Sequence, residues 1–238
     1  MIESGDRVLL AGEGREFFVK AGPGTLGTDK GQIDLSSLVG KSGGDQILTH
    51  SGTAFTIRIP RPTDFFTYGK RSGAPMLPKD IGLVIAYTGM NHNDDVLDAG
   101  TGSGIAAIYF GGVARSVKTY EIRPEFSTLA MKNISEAKLP NVEAVAKDFL
   151  DSEGTYDVVH LDLQIQPEHV THAFSLLRSG GYLAVYTPFL EQMAIVVDAA
   201  TPLFREVHTH ELIEREMTRS KRGTRPSTSV SHSGYVTI

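Results

Sequence analysis

The segment Asp98-Ala99-Gly100-Thr101-Gly102-Ser103-Gly104 constrains this chain more than any other. It follows a short apolar run, Val96-Leu97, and leads into an apolar stretch over 105–110, so it reads as a strand, a tight turn and the start of a helix. Glycine at alternate positions lets the backbone turn sharply and lets a ligand approach the amides with no Cβ in the way. In doubly wound α/β sheets, ligands bind beyond the carboxyl ends of the strands, which is where this loop lies. Dinucleotide sites use a related arrangement, but with the last glycine three residues after the second. The alternate spacing here suits a ligand without phosphates, and a tight turn with no ligand is the plainer alternative.

The rest of the chain supports an α/β fold. Pro78-Lys79-Asp80 opens an amphipathic segment through 90, with proline at a helix start and an acid in its first turn. Strands are expected at 95–97, 116–121, 142–146, 158–161 and 182–186, with helices over 105–110, 124–138 and 168–177. Such alternation implies crossover units on a parallel sheet. A helix over 190–200 precedes 204–213 and 234–238, which are expected to form an antiparallel pair at one edge. Residues 1–60 are dense in glycine between short alternating apolar runs, and predict a small all-β domain. Pro60-Arg61-Pro62 marks its boundary, and 61–77 reads as a linker before an α/β domain over 78–238.

Composition removes several classes. The chain has no cysteine, which excludes disulfides, thiolate metal sites and cysteine nucleophiles. Glu3, Asp6 and Arg7 interrupt the first ten residues, so neither a signal peptide nor a membrane span is expected there, and a soluble, cytoplasmic protein is. A formal net charge of -5 disfavours nucleic acid as a partner, yet two basic patches interrupt the acidic chain. Arg58, Arg61, Lys70, Arg71 and Lys79 form one. Arg219, Lys221, Arg222 and Arg225 form the other, in a tail with no acid after Glu216.

The residues at the strand ends carry the chemistry. Glu121 closes the second strand about twenty residues beyond the glycine loop, a position suited to ribose hydroxyls. Asp148 is expected to end the third strand and to accept a proton from an adenine amino group, with Phe149 packed on the ring. Asp162 ends the fourth, Val158-Val159-His160-Leu161, and is the candidate to orient or deprotonate a nucleophile. His169 and His172 lie at helical spacing, but no third ligand accompanies them, and no metal is expected.

Taken together, the chain resembles the tRNA adenine-N1 methyltransferases of the T loop. The resemblance rests on Pro78-Lys79-Asp80, the loop from Asp98 to Gly104, Tyr120-Glu121-Ile122-Arg123-Pro124, Asp162-Leu163, and the tail Arg225-Pro226 with His232-Ser233-Gly234-Tyr235. It implies a class I methyltransferase fold, a Rossmann-like, mostly parallel seven-stranded sheet, with the N-terminal β domain. It also implies S-adenosylmethionine as cofactor, tRNA as substrate, and a homotetramer built as a dimer of dimers. The implied cofactor-binding set is Asp98, Gly100, Thr101, Gly102, Ser103, Gly104, Glu121, Ile122, Asp148, Phe149 and Asp162. Asp162 is the implied catalytic residue, and Arg222, Arg225 and His232 are the implied tRNA contacts.

The chain departs from the family pattern at three places. Leu77 stands where a tyrosine is usual, Gln164-Ile165-Gln166-Pro167 replaces a proline-rich run ending in Pro-Trp, and residues 70–76 lack the usual Thr-Gln. A residue that stacks on the target base therefore has to lie elsewhere. Two other functions fit the same motifs: transfer to a small molecule or protein carboxylate, and a noncatalytic tRNA-binding subunit.

Overall fold

Val96-Leu97 and Val158-Val159 lie at the centre of a sheet covered on both faces, which is why they are apolar without alternation. The computed structural model describes residues 1–71 and 73–238, so Ser72, in the segment read as a linker, lies outside the described residues. Two compact units emerge, Met1–Lys70 with Ser135–Lys138, and Arg71–Ile134 with Leu139–Ile238.

In the first unit, β1 (Arg7–Gly12), β2 (Arg15–Lys20), β5 (Gln46–Leu48) and β6 (Ala54–Arg58) form a sheet of order β2-β1-β6-β5. A separate hairpin pairs β3 (Thr25–Thr28) with β4 (Gly31–Asp34). Glu13 and Gly14 turn β1 into β2 with φ of 52° and 71°, the positive values that a two-residue hairpin turn requires. Val8, Leu10, Ile33, Phe55 and Ile57 form the centre of the core. Part of the segment read as a linker is helical: α1 (Pro62–Tyr68) starts on a proline, and the Asp64 carboxylate accepts the Arg61 N–H at 2.7 Å.

The second unit runs α2 (Pro78–Thr88), β7 (Asp95–Ala99), α3 (Ile105–Gly111), β8 (Ser116–Tyr120), α4 (Pro124–Glu136) and β9 (Val142–Val145). It continues with β10 (Tyr156–Leu161), α5 (Pro167–Leu176), β11 (Leu177–Thr187), α6 (Leu190–Ala200), β12 (Thr209–Glu211), β13 (Met217–Ser220), β14 (Gly223–Pro226) and β15 (Tyr235–Thr237). Seven strands share one sheet, in the order β12-β15-β11-β10-β7-β8-β9. Strands β9, β8, β7, β10 and β11 are mutually parallel. β15 is antiparallel to both neighbours and inserts between β11 and β12, where the sequence suggested only an edge pair. The chain moves outward from β7 through β8 to β9, then returns to the other side of β7 as β10. The switch point therefore lies between β7 and β10, whose carboxyl ends carry Asp98 and Asp162. Among the described residues, no helix is long and apolar enough to cross a membrane.

The opposite end of the sheet is tied by charge. Asp95 accepts from Arg115 Nε at 2.9 Å, Ser116 Oγ at 2.7 Å and Arg178 Nη2 at 2.9 Å. Arg178 also pairs with Asp157, whose carboxylate takes the Asp95 N–H at 2.8 Å. The Arg115 guanidinium, opposed by burial and aided by Ser116 and Arg178, holds Asp95 well below the ordinary carboxylate range. Its stabilisation is thus present at neutral pH and lost as pH falls through its folded value. Asp95→Asn should cost about 1–2 kcal/mol in urea unfolding at pH 7, and the difference from the unaltered chain should shrink below pH 4.

Candidate cofactor and catalytic site

Beyond the carboxyl ends of β7, β8 and β10 lies a cavity of about 500 Å3. Gly100, Glu121, Ile122, Asp148, Phe149 and Asp162 all line it, so six residues chosen from the sequence converge on one space. Arg123, Lys147, Gln164 and His169 line it as well, and strand-end reasoning did not select them.

Glu121 is the best-determined group. Its Oε2 accepts from Gly102 N at 2.9 Å and Arg123 Nη2 at 3.1 Å, and its Oε1 from Arg123 N at 3.1 Å and Arg123 Nε at 2.7 Å. Burial alone would raise its pKa; the Arg123 bonds, joined by the Gly102 N–H, outweigh burial and hold it below the usual glutamate value. A carboxylate has about four acceptor positions, and all are used. A pair of ligand hydroxyls would take over positions now held by Arg123, whose half-exposed guanidinium rests on the Phe126 ring at 3.8 Å.

The other loop residues divide. Asp98 is buried and turned into the sheet: Oδ1 meets His160 Nδ1 at 2.7 Å, and Oδ2 accepts from Thr119 Oγ1 at 2.5 Å. Thr101 joins the same chain, its hydroxyl 2.5 Å from Thr119 Oγ1. Ser103 and Gly104 are also buried, and neither lines the cavity. Gly100 has φ of +86°, and a Cβ there would lie 1.8 Å from the Asp162 carbonyl oxygen. Gly104, at +82°, leaves room for Ala130 of α4. At Gly102 the nearest atom to a built Cβ is Gly100 O at 3.8 Å, so this glycine faces open space. Of the three alternate glycines, Gly100 thus serves strand packing and Gly104 helix packing, while Gly102 has no close neighbour.

Asp148 does not end a strand. β9 stops at Val145, and Asp148 instead caps a 3₁₀ turn over Phe149–Asp151, accepting the Leu150 N–H at 2.9 Å. Phe149 is buried in the core, edge-on to His172 with ring centroids 5.1 Å apart, so only part of it reaches the cavity. His169 accepts the Gln166 N–H at 3.0 Å and His172 Nε2 lies 3.1 Å from Ser152 Oγ. Among the described residues no three such side chains converge as a metal site.

Asp162 follows β10, its N–H bound to Ala99 O at 2.8 Å. Burial is the main influence on its carboxyl; His160 opposes it, Asp98 and Glu121 add to it, and the pKa is pushed up to about 6. Beside it stands Tyr186, at the carboxyl end of β11, with its hydroxyl hydrogen-bonded to Ser233. Ser233 donates to Asp80 Oδ2 at 2.6 Å, and Lys79 Nζ binds both Asp80 oxygens at 2.7 and 2.8 Å. A Cβ on Gly234 would lie 2.8 Å from the Tyr186 ring, so glycine lets the tail pass close against it. The motifs 78–80 and 232–235, far apart in sequence, therefore meet at one end of the sheet next to Asp162.

The basic tail forms the exposed hairpin β13–β14, in which Arg219 is opposite Thr224 and Arg225 opposite Thr218, with Arg222 in the turn. His232 lies apart from it, with Nδ1 3.2 Å from Glu211 Oε1.

No family model matches the chain. It is 30% identical to a tRNA (adenine(57)-N(1)/adenine(58)-N(1))-methyltransferase of Methanocaldococcus jannaschii, over 98% of this chain and 93% of that protein. To a tRNA (adenine(58)-N(1))-methyltransferase of Thermus thermophilus it is 28% identical, over 82% and 80%. Among solved structures, an S-adenosylmethionine-dependent O-methyltransferase of Thermotoga maritima superposes with a TM-score of 0.87 at 27% identity, over 99% of this chain and 92% of that one. A tRNA methyltransferase of Aquifex aeolicus shares the fold, with a TM-score of 0.80 at 23% identity over 99% and 96%.

Proposed function

Because the chain belongs to the tRNA (adenine-N1)-methyltransferases, we propose that it methylates N1 of an adenosine in the T loop of tRNA, using S-adenosylmethionine and the cavity beside Asp162. The observation that carries this reading is the convergence of Glu121, the glycine loop and Asp162 at the switch point.

The site fits an adenosyl group. Glu121 offers a carboxylate for two ribose hydroxyls, Ile122 an exposed apolar flank, and Gly102 an open approach to the backbone. Asp148 and the edge of Phe149 stand where a base would lie. When bound, S-adenosylmethionine supplies an electrophilic methyl group. Asp162 accepts a hydrogen bond from the exocyclic amine of the target adenine, aligns N1, and takes the amine proton as N1 becomes bonded to carbon. Adenine N1 already has a free lone pair, so alignment is the main catalytic contribution. Tyr186, buried and held by Ser233 and Gly234, is the aromatic ring packed near Asp162 in a chain that has no tryptophan.

Arg222 and Arg225 on the exposed hairpin, with His232, serve as tRNA contacts. Reversing both charges, Arg222→Glu with Arg225→Glu, should raise the KM for tRNA about tenfold or more at moderate salt and lower the salt slope of binding by about two, measured by filter binding. We further propose that residues 1–60 act as a separate β domain joined through 61–77 to the catalytic domain at 78–238, and that the enzyme works in the cytoplasm as a homotetramer, which light scattering would test.

The deciding experiment is mass spectrometry of nucleosides from tRNA transcripts incubated with the protein and donor. N1-methyladenosine is the expected product. A protein that binds the donor, leaves tRNA unmodified and methylates an oxygen acceptor instead would overturn the reading.

A further inference from the structure

His160 lies in the middle of the sheet with no exposed surface, in register with Asp98 on the neighbouring strand. Its Nδ1 meets Asp98 Oδ1 at 2.7 Å, while its Nε2 is buried with no hydrogen-bond partner among the described residues. The ring stands edge-on to Phe110, with centroids 5.1 Å apart. An imidazole in a sheet core is costly unless its polar atoms are satisfied, and only one of the two is. The satisfied atom faces a carboxylate that is itself buried, and that also takes the Thr119 hydroxyl at 2.5 Å. From Thr119 the chain passes to Thr101, the residue between the first two glycines of the loop.

We infer that His160 is a positioning residue for the cofactor loop: its Nδ1–H holds Asp98 inside the sheet, and the chain Asp98–Thr119–Thr101 fixes where the loop begins. This rests on the donor reading above. The alternate tautomer, with the proton on Nε2, would place a donor in apolar surroundings and a lone pair against the carboxylate, so the Nδ1–H form is favoured. Without the imidazole, Asp98 keeps Thr119 as its one side-chain partner and is free to turn away, and Thr119 and Thr101 then lose their anchor. Glu121 receives its Gly102 N–H from the same loop, so the disturbance reaches the donor site; His160 and Asp98 also act on the Asp162 carboxyl, with opposite signs, so turnover is compared well above pH 6.

The test has two arms. His160→Ala should weaken donor binding about tenfold or more by calorimetry on the folded protein, with turnover at saturating donor falling much less. His160→Asn, whose side-chain amide lies near the imidazole Nδ1 position, should restore donor affinity to within about threefold. Should His160→Ala not fold, Asp98→Asn replaces it, with the same weakening expected. In the second arm, nitrogen NMR of the unaltered protein should show His160 protonated on Nδ1, with a slowly exchanging proton that Asp98→Asn removes. An Nε2–H tautomer, or equal donor affinity in the unaltered protein and the Ala and Asn variants, would overturn the inference. Failure of the unaltered protein to bind donor at all would instead overturn the donor reading, with the tautomer still read independently.

Discussion

Asp162→Asn should lower turnover on tRNA by about 10²- to 10⁴-fold while changing donor affinity far less, because the amide keeps the shape of the carboxyl but cannot accept a proton. The pH dependence separates this from a general loss of structure. Asp162 is pushed up to about 6 by burial, so the unaltered enzyme should lose turnover as pH falls through about 6, along a limb of unit slope. The same variant should be more stable, not less. Asp162 binds its proton more tightly in the native chain than in the unfolded one, so between about pH 4 and pH 6 native stability falls as pH rises. Above pH 6 the buried charge carries its full cost, and replacing it with a neutral amide should stabilise the fold by about 1–2 kcal/mol at pH 7.5. Urea unfolding of both proteins at pH 4.5 and 7.5 checks this: the gain should be large only at the higher pH. Unchanged turnover would remove Asp162 from the reaction, and an equal gain at both pH values would remove its raised pKa.

The positions of the carboxylates were legible in the sequence because buried parallel strands announce themselves as short apolar runs, and ligand groups follow their ends. Glu121 and Asp162 were found this way. The direction of a side chain was not legible. Asp98 opens the glycine loop as a cofactor ligand would, but its orientation is decided by His160, 62 residues later, on a strand whose register only the sheet reveals. Asp148 shows a smaller version of the same limit. An acid three residues past Val145 has the length to cap its own turn, and local hydrogen bonding sets its place. Proline at 60 and 62 reads as a domain boundary opening a linker, yet proline is equally at home in the first turn of a helix, Asp64 completes the cap of α1, and the first compact unit runs on to Lys70. The hairpin β13–β14 is exposed along its whole length, so it has no apolar alternation to betray it. The meeting of Lys79 and Asp80 with Ser233 and Tyr186 depends on β15 entering the sheet beside β11, and no local pattern encodes that insertion.

Gly100→Ala should be the most damaging single methyl group that can be added to the loop. The built Cβ lies 1.8 Å from the carbonyl oxygen of Asp162 and 2.6 Å from its carbonyl carbon, both backbone atoms of a strand end that has no freedom to retreat. A left-handed φ of +86° adds strain for any residue with a side chain. The combined effect should exceed about 4 kcal/mol, enough to leave little folded protein in a domain of ordinary stability. The two other glycines provide the control. Gly104→Ala meets Ala130 of α4 at 3.3 Å, a contact that a small shift of the helix relieves, and should cost about 1–3 kcal/mol. Gly102→Ala meets no atom nearer than 3.8 Å, so only its backbone conformation is penalised, by about 1–2 kcal/mol, and its methyl group should weaken donor binding instead. Thermal unfolding with and without donor orders the three: Gly100 worst for stability, Gly102 worst for the shift that donor produces. If Gly100→Ala folds normally, β7 and β10 do not approach as closely as described, and the placement of Asp162 beside the loop falls with it. The same contact explains why the loop and Asp162 form a unit, since the backbone of Asp162 occupies the space where Gly100 has no side chain.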